Sequence, residues 1–146
     1  MLDPSLQHLV IQLHLYSTLF MTGVIWYVQV VHYPLLRFIQ SEDGKDFADL
    51  YKKKSGLIVV PFMLTELVTG ILLIGSTWMM QYGYYLWMNL ILLLGIWVVT
   101  FTVHLPQHKA LTNSFNSETI RPLVRSDWIR TLIWSIRSVL LVSFLS

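Results

Sequence analysis

The sequence contains no cysteine and few charged residues. Without cysteine the chain can form no disulfide, no thiolate nucleophile and no cysteine-ligated zinc or iron-sulfur centre, so a metal would need His, carboxylate, Met or Tyr. Charged residues make up 12% of the 146 residues, about half of the roughly 25% found in a typical soluble domain. Hydrophobic residues make up 55%, and the mean hydropathy is +0.59. This composition is typical of an integral membrane protein.

Several functional classes lack their signatures. Ten Lys and Arg against eight Asp and Glu give a net charge of +2 without a dense basic patch, which excludes nucleic acid as a partner. The sequence shows no Gly-rich phosphate loop, no Ser/His/Asp order and no lipid-attachment signal. No cleavable signal peptide is expected, because the N-terminus lacks a basic region and the first apolar segment is too long. The length predicts a single domain, 1–146.

Four apolar stretches each reach the ~20 residues that cross a hydrocarbon core. They predict an all-α integral membrane four-helix bundle with up-down-up-down topology. The predicted spans lie between Asp3 and Arg37, from Leu57 to about Met80, from Tyr84 to about Val103, and from Trp128 to Ser146. Asp3 is expected to cap the first helix, with Pro4 at its first position.

The basic residues predict the orientation in the membrane. Nine of the ten lie in or beside two connections: Arg37, Lys45, Lys52, Lys53 and Lys54 after the first span, and Lys109, Arg121, Arg125 and Arg130 around the third connection. The positive-inside rule places both connections in the cytoplasm. A short, uncharged connection around residues 81–83 then lies outside. Both termini are therefore expected on the outer face of a bacterial inner (plasma) membrane.

The first cytoplasmic connection predicts a short amphipathic helix between spans one and two. Its acidic residues precede its lysines over 42–54, which matches the helix dipole. Phe47, Leu50 and Tyr51 form an apolar stripe. The alternative is a solvated charged loop. The second connection, residues 112–126, contains Pro122 and many Ser and Asn, which predicts a loop with one helical turn at most.

Two charges lie near the middle of predicted spans. Glu66 and Arg137 are each about ten residues from the cytoplasmic start of their spans, and diagonal helices would point both at the bundle axis. Because an unpaired intramembrane charge is costly, we expect an ion pair between them. The pair could be purely structural, either as an ion pair or with the Glu66 carboxylic acid kept neutral by burial. Alternatively, it could serve a proton relay or bind an anion.

Three histidines are candidate ligands near the cytoplasmic end. His104 and His108 are four residues apart on one helix face, and His32 lies at similar depth on another span. A metal site would use His32, His104 and His108, with Glu66 as a fourth ligand or as a group that orients the ligands. A haem b would use His32 and His104 as axial ligands and Arg130 for a propionate. Equally, these histidines could simply bond headgroups, water or backbone.

The sequence resembles a family of uncharacterised small bacterial four-helix inner-membrane proteins. The matching segments are His32-Tyr33-Pro34-Leu35, Pro61-Phe62-Met63-Leu64-Thr65-Glu66-Leu67, Leu105-Pro106-Gln107-His108-Lys109-Ala110-Leu111 and Asp127-Trp128-Ile129-Arg130-Thr131, with Trp134 and Arg137. The family usually has Asn where Asp127 stands and Gln where His104 stands. The Gln makes His104 a weaker candidate ligand than His32, Glu66 and His108. The resemblance implies the bundle but no reaction.

The layout is also similar, in architecture alone, to the haem-binding four-helix bacterial protoporphyrinogen oxidases. The similar elements are Trp26, Arg37 and Pro61-Phe62-Met63, while Asn89 stands where those enzymes carry a Lys.

These observations lead to three hypotheses of different classes. The first is a membrane redox or ligand-binding protein that holds haem or a transition metal ion. The second is a non-catalytic transporter or accessory subunit that uses Glu66 and Arg137 for protons or an anion. The third is a structural bundle that assembles with a partner. The expected partners are the lipid bilayer and either further copies of the chain or a larger membrane complex.

The orientation can be tested by thiol labelling, since the chain has no cysteine of its own. Lys53→Cys and Asn116→Cys should resist a membrane-impermeant thiol reagent applied from outside intact cells, whereas Gln81→Cys should react. All three should react after the membrane is permeabilised. Labelling of Asn116→Cys in intact cells would contradict the orientation.

Overall fold

The computed structural model describes residues 3–145, which contain helices and turns but no strand. The helices are α1 (Pro4–Phe38), α2 (Ser41–Ile74), α3 (Trp78–Asn113) and α4 (Ser117–Leu145). The main contacts join α1 to α2 and α4, and α3 to α2 and α4, so α1 lies diagonal to α3 and α2 diagonal to α4. The all-α prediction is confirmed. The predicted end of the fourth span, Ser146, lies outside the described residues.

Three of these helices, α1 to α3, are long and apolar enough to cross a membrane by length and composition. The fourth, α4, has 29 residues, which is also enough in length, but it carries six charged residues. These are Glu118, Arg121, Arg125, Asp127, Arg130 and Arg137. Most of the first half of α4 is thus polar, and its second half contains only one charge.

The predicted start of α1 is confirmed. The Asp3 side chain accepts a hydrogen bond from the Ser5 backbone N–H at 3.1 Å, and Pro4 occupies the first helical position. The cap satisfies one of the N–H groups that a helix start leaves free, and proline has none to lose there.

The second helix differs from the prediction at both ends. Residues 42–54 are helical, but they form the first part of α2 instead of a separate amphipathic helix. Nothing in 55–60 breaks the helix, since a single Gly56 costs only about 1 kcal/mol, and α2 continues through Pro61. It ends six residues before the predicted Met80, because Gly75 caps it and Ser76 bonds back to the Leu73 carbonyl. The connection is therefore 75–77, not 81–83.

Two wide turns interrupt the long helices at related sequences. Residues Val28–His32 of α1 and Thr100–His104 of α3 are π-helical. Each follows the pattern Val-His-x-Pro, in which the proline comes two residues after the histidine. Proline lacks an N–H and its ring crowds the carbonyl four residues earlier, so the preceding turn widens. The two histidines therefore end the two widened turns, a feature common at functional sites.

The connection between α3 and α4 is only 114–116, so the loop predicted for residues 112–126 is wrong. Asn116 ends the loop early, because its side-chain oxygen accepts hydrogen bonds from the backbone N–H groups of Glu118 and Thr119, both at 3.0 Å. Such capping starts α4 at Ser117. Phe115 holds the connection down by packing into an apolar cluster with Tyr33, Leu36, Ala48, Leu111 and Leu123.

Two glycines of α2 make a matched test of this packing. A Cβ at Gly44 would overlap the Phe115 ring, whereas a Cβ at Gly56 would meet nothing within 4 Å. Gly44→Ala should lower the free energy of unfolding by about 1 to 3 kcal/mol through overpacking. Gly56→Ala should raise it by about 0.5 to 1 kcal/mol through helix propensity. Denaturant unfolding in detergent, followed by circular dichroism, would measure both free energies. Equal changes in the two variants would contradict the close packing of Gly44 against Phe115.

Candidate functional site

Glu66 of α2 and Arg137 of α4 meet across the diagonal of the bundle. Arg137 Nη1 lies 2.7 Å from Glu66 Oε1, and both side chains are fully buried. The two residues of the pair predicted from the sequence are thus in direct contact. Neither charge could be kept in an apolar interior without such a partner.

Further donors and acceptors complete the hydrogen bonds of this pair. Glu66 also accepts from the Thr18 hydroxyl at 2.8 Å and from the Trp134 indole N–H at 3.2 Å. Arg137 also donates to the Asn89 side-chain oxygen at 3.1 Å and to the Thr18 hydroxyl at 3.3 Å. All four helices contribute, and we call these five residues the central network.

His14 extends the central network along α1. One imidazole nitrogen bonds the Thr69 hydroxyl at 2.8 Å and the other bonds the Asn89 oxygen at 3.1 Å. The ring fits because Gly70 leaves space: a Cβ there would lie 3.3 Å from the His14 ring. His14 was not predicted as a site residue from the sequence.

A second buried polar cluster lies at the end of the bundle that holds the connections 39–40 and 114–116, which we call the basic end. His104 Nε2 lies 3.5 Å from Asp127 Oδ1, and Arg130 Nε lies 3.7 Å from the same oxygen. These are ion-pair distances, longer than a normal hydrogen bond. Tyr33 also faces the Asp127 carboxyl group.

This cluster is incompletely satisfied. By strict hydrogen-bond geometry, both His104 nitrogens, both Asp127 oxygens and Arg130 Nε lack a partner among the described residues, although the Ser126 backbone lies near the His104 ring and Tyr33 near the Asp127 carboxyl group. His104, Asp127 and Arg130 are all buried. A buried polar group without a partner costs about 1 to 3 kcal/mol. The cluster therefore differs from the central network, whose side-chain polar groups are bonded.

A cavity of about 150 Å³ adjoins the cluster, and we call it the histidine cavity. Its polar lining residues are Tyr33, Tyr51, Lys52, Ser55, Thr100, His104, His108 and Arg130, and the rest of the lining is mainly apolar. Two cations and two histidines thus line part of the space, while Asp127 lies behind His104 and Arg130. The Thr100 hydroxyl is another buried group without a partner in the described part of the chain.

The residues predicted as metal or haem ligands fall into different places. His104 and His108 line the histidine cavity. His32 does not line it but stacks on Tyr51, with ring centroids 3.9 Å apart and planes at 11°. Glu66 belongs to the central network. Within residues 3–145 no three His, Asp or Glu side chains are grouped as a metal would require.

These positions do not fit a haem held between His32 and His104. The Tyr51 ring separates His32 from the cavity, so His32 and His104 do not face each other across a space for a haem. The cavity of about 150 Å³ is also below the ~300 to 1,000 Å³ of pockets that hold larger organic ligands. A few small atoms fit it; a macrocycle does not.

The two clusters are linked along one face of α4. Asp127, Arg130, Trp134 and Arg137 follow one another at separations of three or four residues. The Arg130 guanidinium lies over the Trp134 ring, 5.2 Å from its centroid, a cation–π contact. Trp134 in turn donates to Glu66. A change at Arg130 therefore acts directly on a donor of the central network.

The sequence analysis missed Tyr33, Tyr51 and Asp127 as site residues. Two signals were available: the repeated Val-His-x-Pro pattern, which places two histidines at widened turns, and the three-residue step from Asp127 to Arg130. The first marks the position of Tyr33, which follows His32. Nothing local marks Tyr51, which reaches His32 and the cavity only because α2 continues unbroken from Ser41.

No family model, curated protein or solved structure matches this chain. The resemblance to small inner-membrane proteins stays a prediction.

The central network predicts how variants of Glu66 and Arg137 change the free energy of unfolding. Arg137→Met alone should lower the free energy of unfolding by roughly 3 to 5 kcal/mol, because it leaves the Glu66 charge buried and unpaired. The double variant Glu66→Gln, Arg137→Met should recover much of this loss. Denaturant unfolding in detergent would measure the free energy of unfolding of the unsubstituted chain, Glu66→Gln, Arg137→Met and the double variant. A double variant as unstable as the sum of the two singles would contradict direct coupling.

Proposed function

We propose that the chain is a four-span protein of a bacterial inner membrane, with both termini outside and α4 as the fourth span. The burial of Arg137 supports this, since the only charge in the second half of α4 is neutralised inside the bundle and not presented to lipid. The surface of that half is apolar, with exposed Leu132, Ile136, Val139 and Val142. The helices then cross the bilayer in alternating directions.

We further propose that the protein is a non-catalytic transporter or accessory subunit that binds a small anion together with a proton in the histidine cavity. The observation that carries the proposal is the set of buried, incompletely satisfied polar atoms on His104, Asp127 and Arg130 beside a cavity whose lining includes Arg130 and Lys52. Arg130 and Lys52 supply positive charge to the anion. His104 and His108 can each take up a proton once the negative charge of the anion lies beside them, and then donate to it.

The central network is better suited to a scaffold than to this task. The Glu66 carboxylate accepts from Thr18, Trp134 and Arg137, so a proton or an anion entering there would have to displace existing bonds. The histidine cavity requires no such displacement. One of the hypotheses from the sequence placed the anion or proton site at Glu66 and Arg137; the geometry favours His104, His108 and Arg130.

The pH dependence of binding distinguishes this function from a metal site. Anion binding should strengthen as the pH falls, because protonated imidazoles attract and donate to an anion. Metal binding should weaken as the pH falls, because ligating imidazoles must be neutral. We expect formate or nitrate to raise the melting temperature of the purified protein more at pH 5.5 than at pH 8, by about 2 to 8 °C at saturation.

Variants and metal analysis complete this experiment. Arg130→Gln should abolish the anion effect, whereas Lys109→Gln, which removes an exposed charge from the same end of the bundle, should leave it unchanged. An absorption spectrum and elemental analysis of the same sample test the cofactor hypothesis. A Soret band or stoichiometric metal, with no anion effect, would replace the proposal by the redox hypothesis.

A further inference from the structure

A separate groove lies on the outside of the basic end, between the end of α1 and the start of α4. Its volume is about 470 Å³, and three arginines line it: Arg37, Arg121 and Arg125. Between them the walls are apolar, formed chiefly by Leu36, Ile39, Phe115, Ile120 and Val124. It does not share a lining residue with the histidine cavity.

The three arginines have no acidic partner in this structure. None of the ion pairs within residues 3–145 involves them, although Glu118 lies on the same helix as Arg121 and Arg125. All three side chains are exposed. Three like charges gathered around one groove repel each other, so an anionic ligand would be favoured there.

The groove lies at the level where lipid headgroups are expected. The apolar surfaces of α1 and α4 lead up to it, with exposed Leu35 on α1 and Trp128 and Ile129 on α4. Phe38 is 70% exposed next to the groove, and the Arg37 guanidinium lies 4.9 Å from its ring centroid. An exposed aromatic ring beside a cation is typical of a side chain at the membrane interface.

We infer that this groove binds the phosphate of an anionic phospholipid, with the acyl chains lying along the apolar surfaces of α1 and α4. A guanidinium matches a phosphate in both charge and hydrogen-bond geometry. The apolar walls fit the glycerol and first methylenes, which a soluble anion lacks. Basic pockets between helices on the cytoplasmic side are a general mode of anionic-lipid recognition. The site is independent of the proposed anion function.

The inference can be tested with purified protein in a neutral detergent. Phosphatidylglycerol, phosphatidylcholine and inorganic phosphate are titrated separately, while thermal unfolding and native mass spectrometry report stability and retained lipid. Phosphatidylglycerol should stabilise the protein and remain bound. Neither phosphatidylcholine nor millimolar inorganic phosphate should do so. Equal effects of inorganic phosphate and phosphatidylglycerol would overturn the inference in favour of a soluble anion.

Charge-matched variants locate the site. Arg121→Gln with Arg125→Gln removes two charges from the groove, and Lys45→Gln with Lys109→Gln removes two exposed charges from the same end but outside it. The affinity for phosphatidylglycerol should fall about fivefold per arginine removed, and the lysine variant should bind as the unsubstituted chain does. Equal losses in both variants would overturn the site, because they would reflect general charge attraction.

Discussion

The ion pair between Glu66 and Arg137 is the interaction on which the rest of this bundle depends. A charged side chain at the centre of a membrane helix costs at least ~2.5 to 3.5 kcal/mol, so each of the two must be neutralised and hydrogen-bonded. The structure meets this requirement with at least one group from every helix: Thr18, Asn89 and Trp134 complete the bonds of the pair. Because the Glu66–Arg137 bond crosses one diagonal and the His14–Asn89 bond crosses the other, these bonds fix how deeply each helix sits relative to the other three.

The histidine cavity contrasts with this closed network. His104, Asp127 and Arg130 are buried without complete partners, although the same chain satisfies a Glu, an Arg and a His about two turns away. This contrast is why we propose the anion site at the second centre and not at the first. The contact between Arg130 and Trp134 joins the two centres. Binding at Arg130 would therefore affect the hydrogen bond that the Trp134 indole N–H donates to Glu66. The groove lined by Arg37, Arg121 and Arg125 shares no lining residue with the histidine cavity and contains no residue of the central network.

Physical periodicity explains what the sequence could and could not predict. Apolar length and charge position predict the helices, and the depth of Glu66 and Arg137 predicts that they are neighbours, since both follow from a fixed rise per residue. The connections are different, because they depend on local capping. Gly75 ends one helix and Asn116 starts another, each several residues away from where the composition of the sequence changes. The ligand set also goes beyond periodicity. His32 was expected at the same depth as His104 and His108, but it stacks on the ring of Tyr51 and does not line the cavity.

Anomalous diffraction from crystals grown in lipid and soaked in bromide at low pH tests the central claim most directly. Bromide is a small anion whose position can be identified without ambiguity. The account predicts a peak within hydrogen-bond reach of His104 or His108 and Arg130, with Glu66 and Arg137 still paired to each other. A peak beside Arg137 with the Glu66 contact broken, or an anion-free cavity in which His104, Asp127 and Arg130 bond directly to one another, would contradict it.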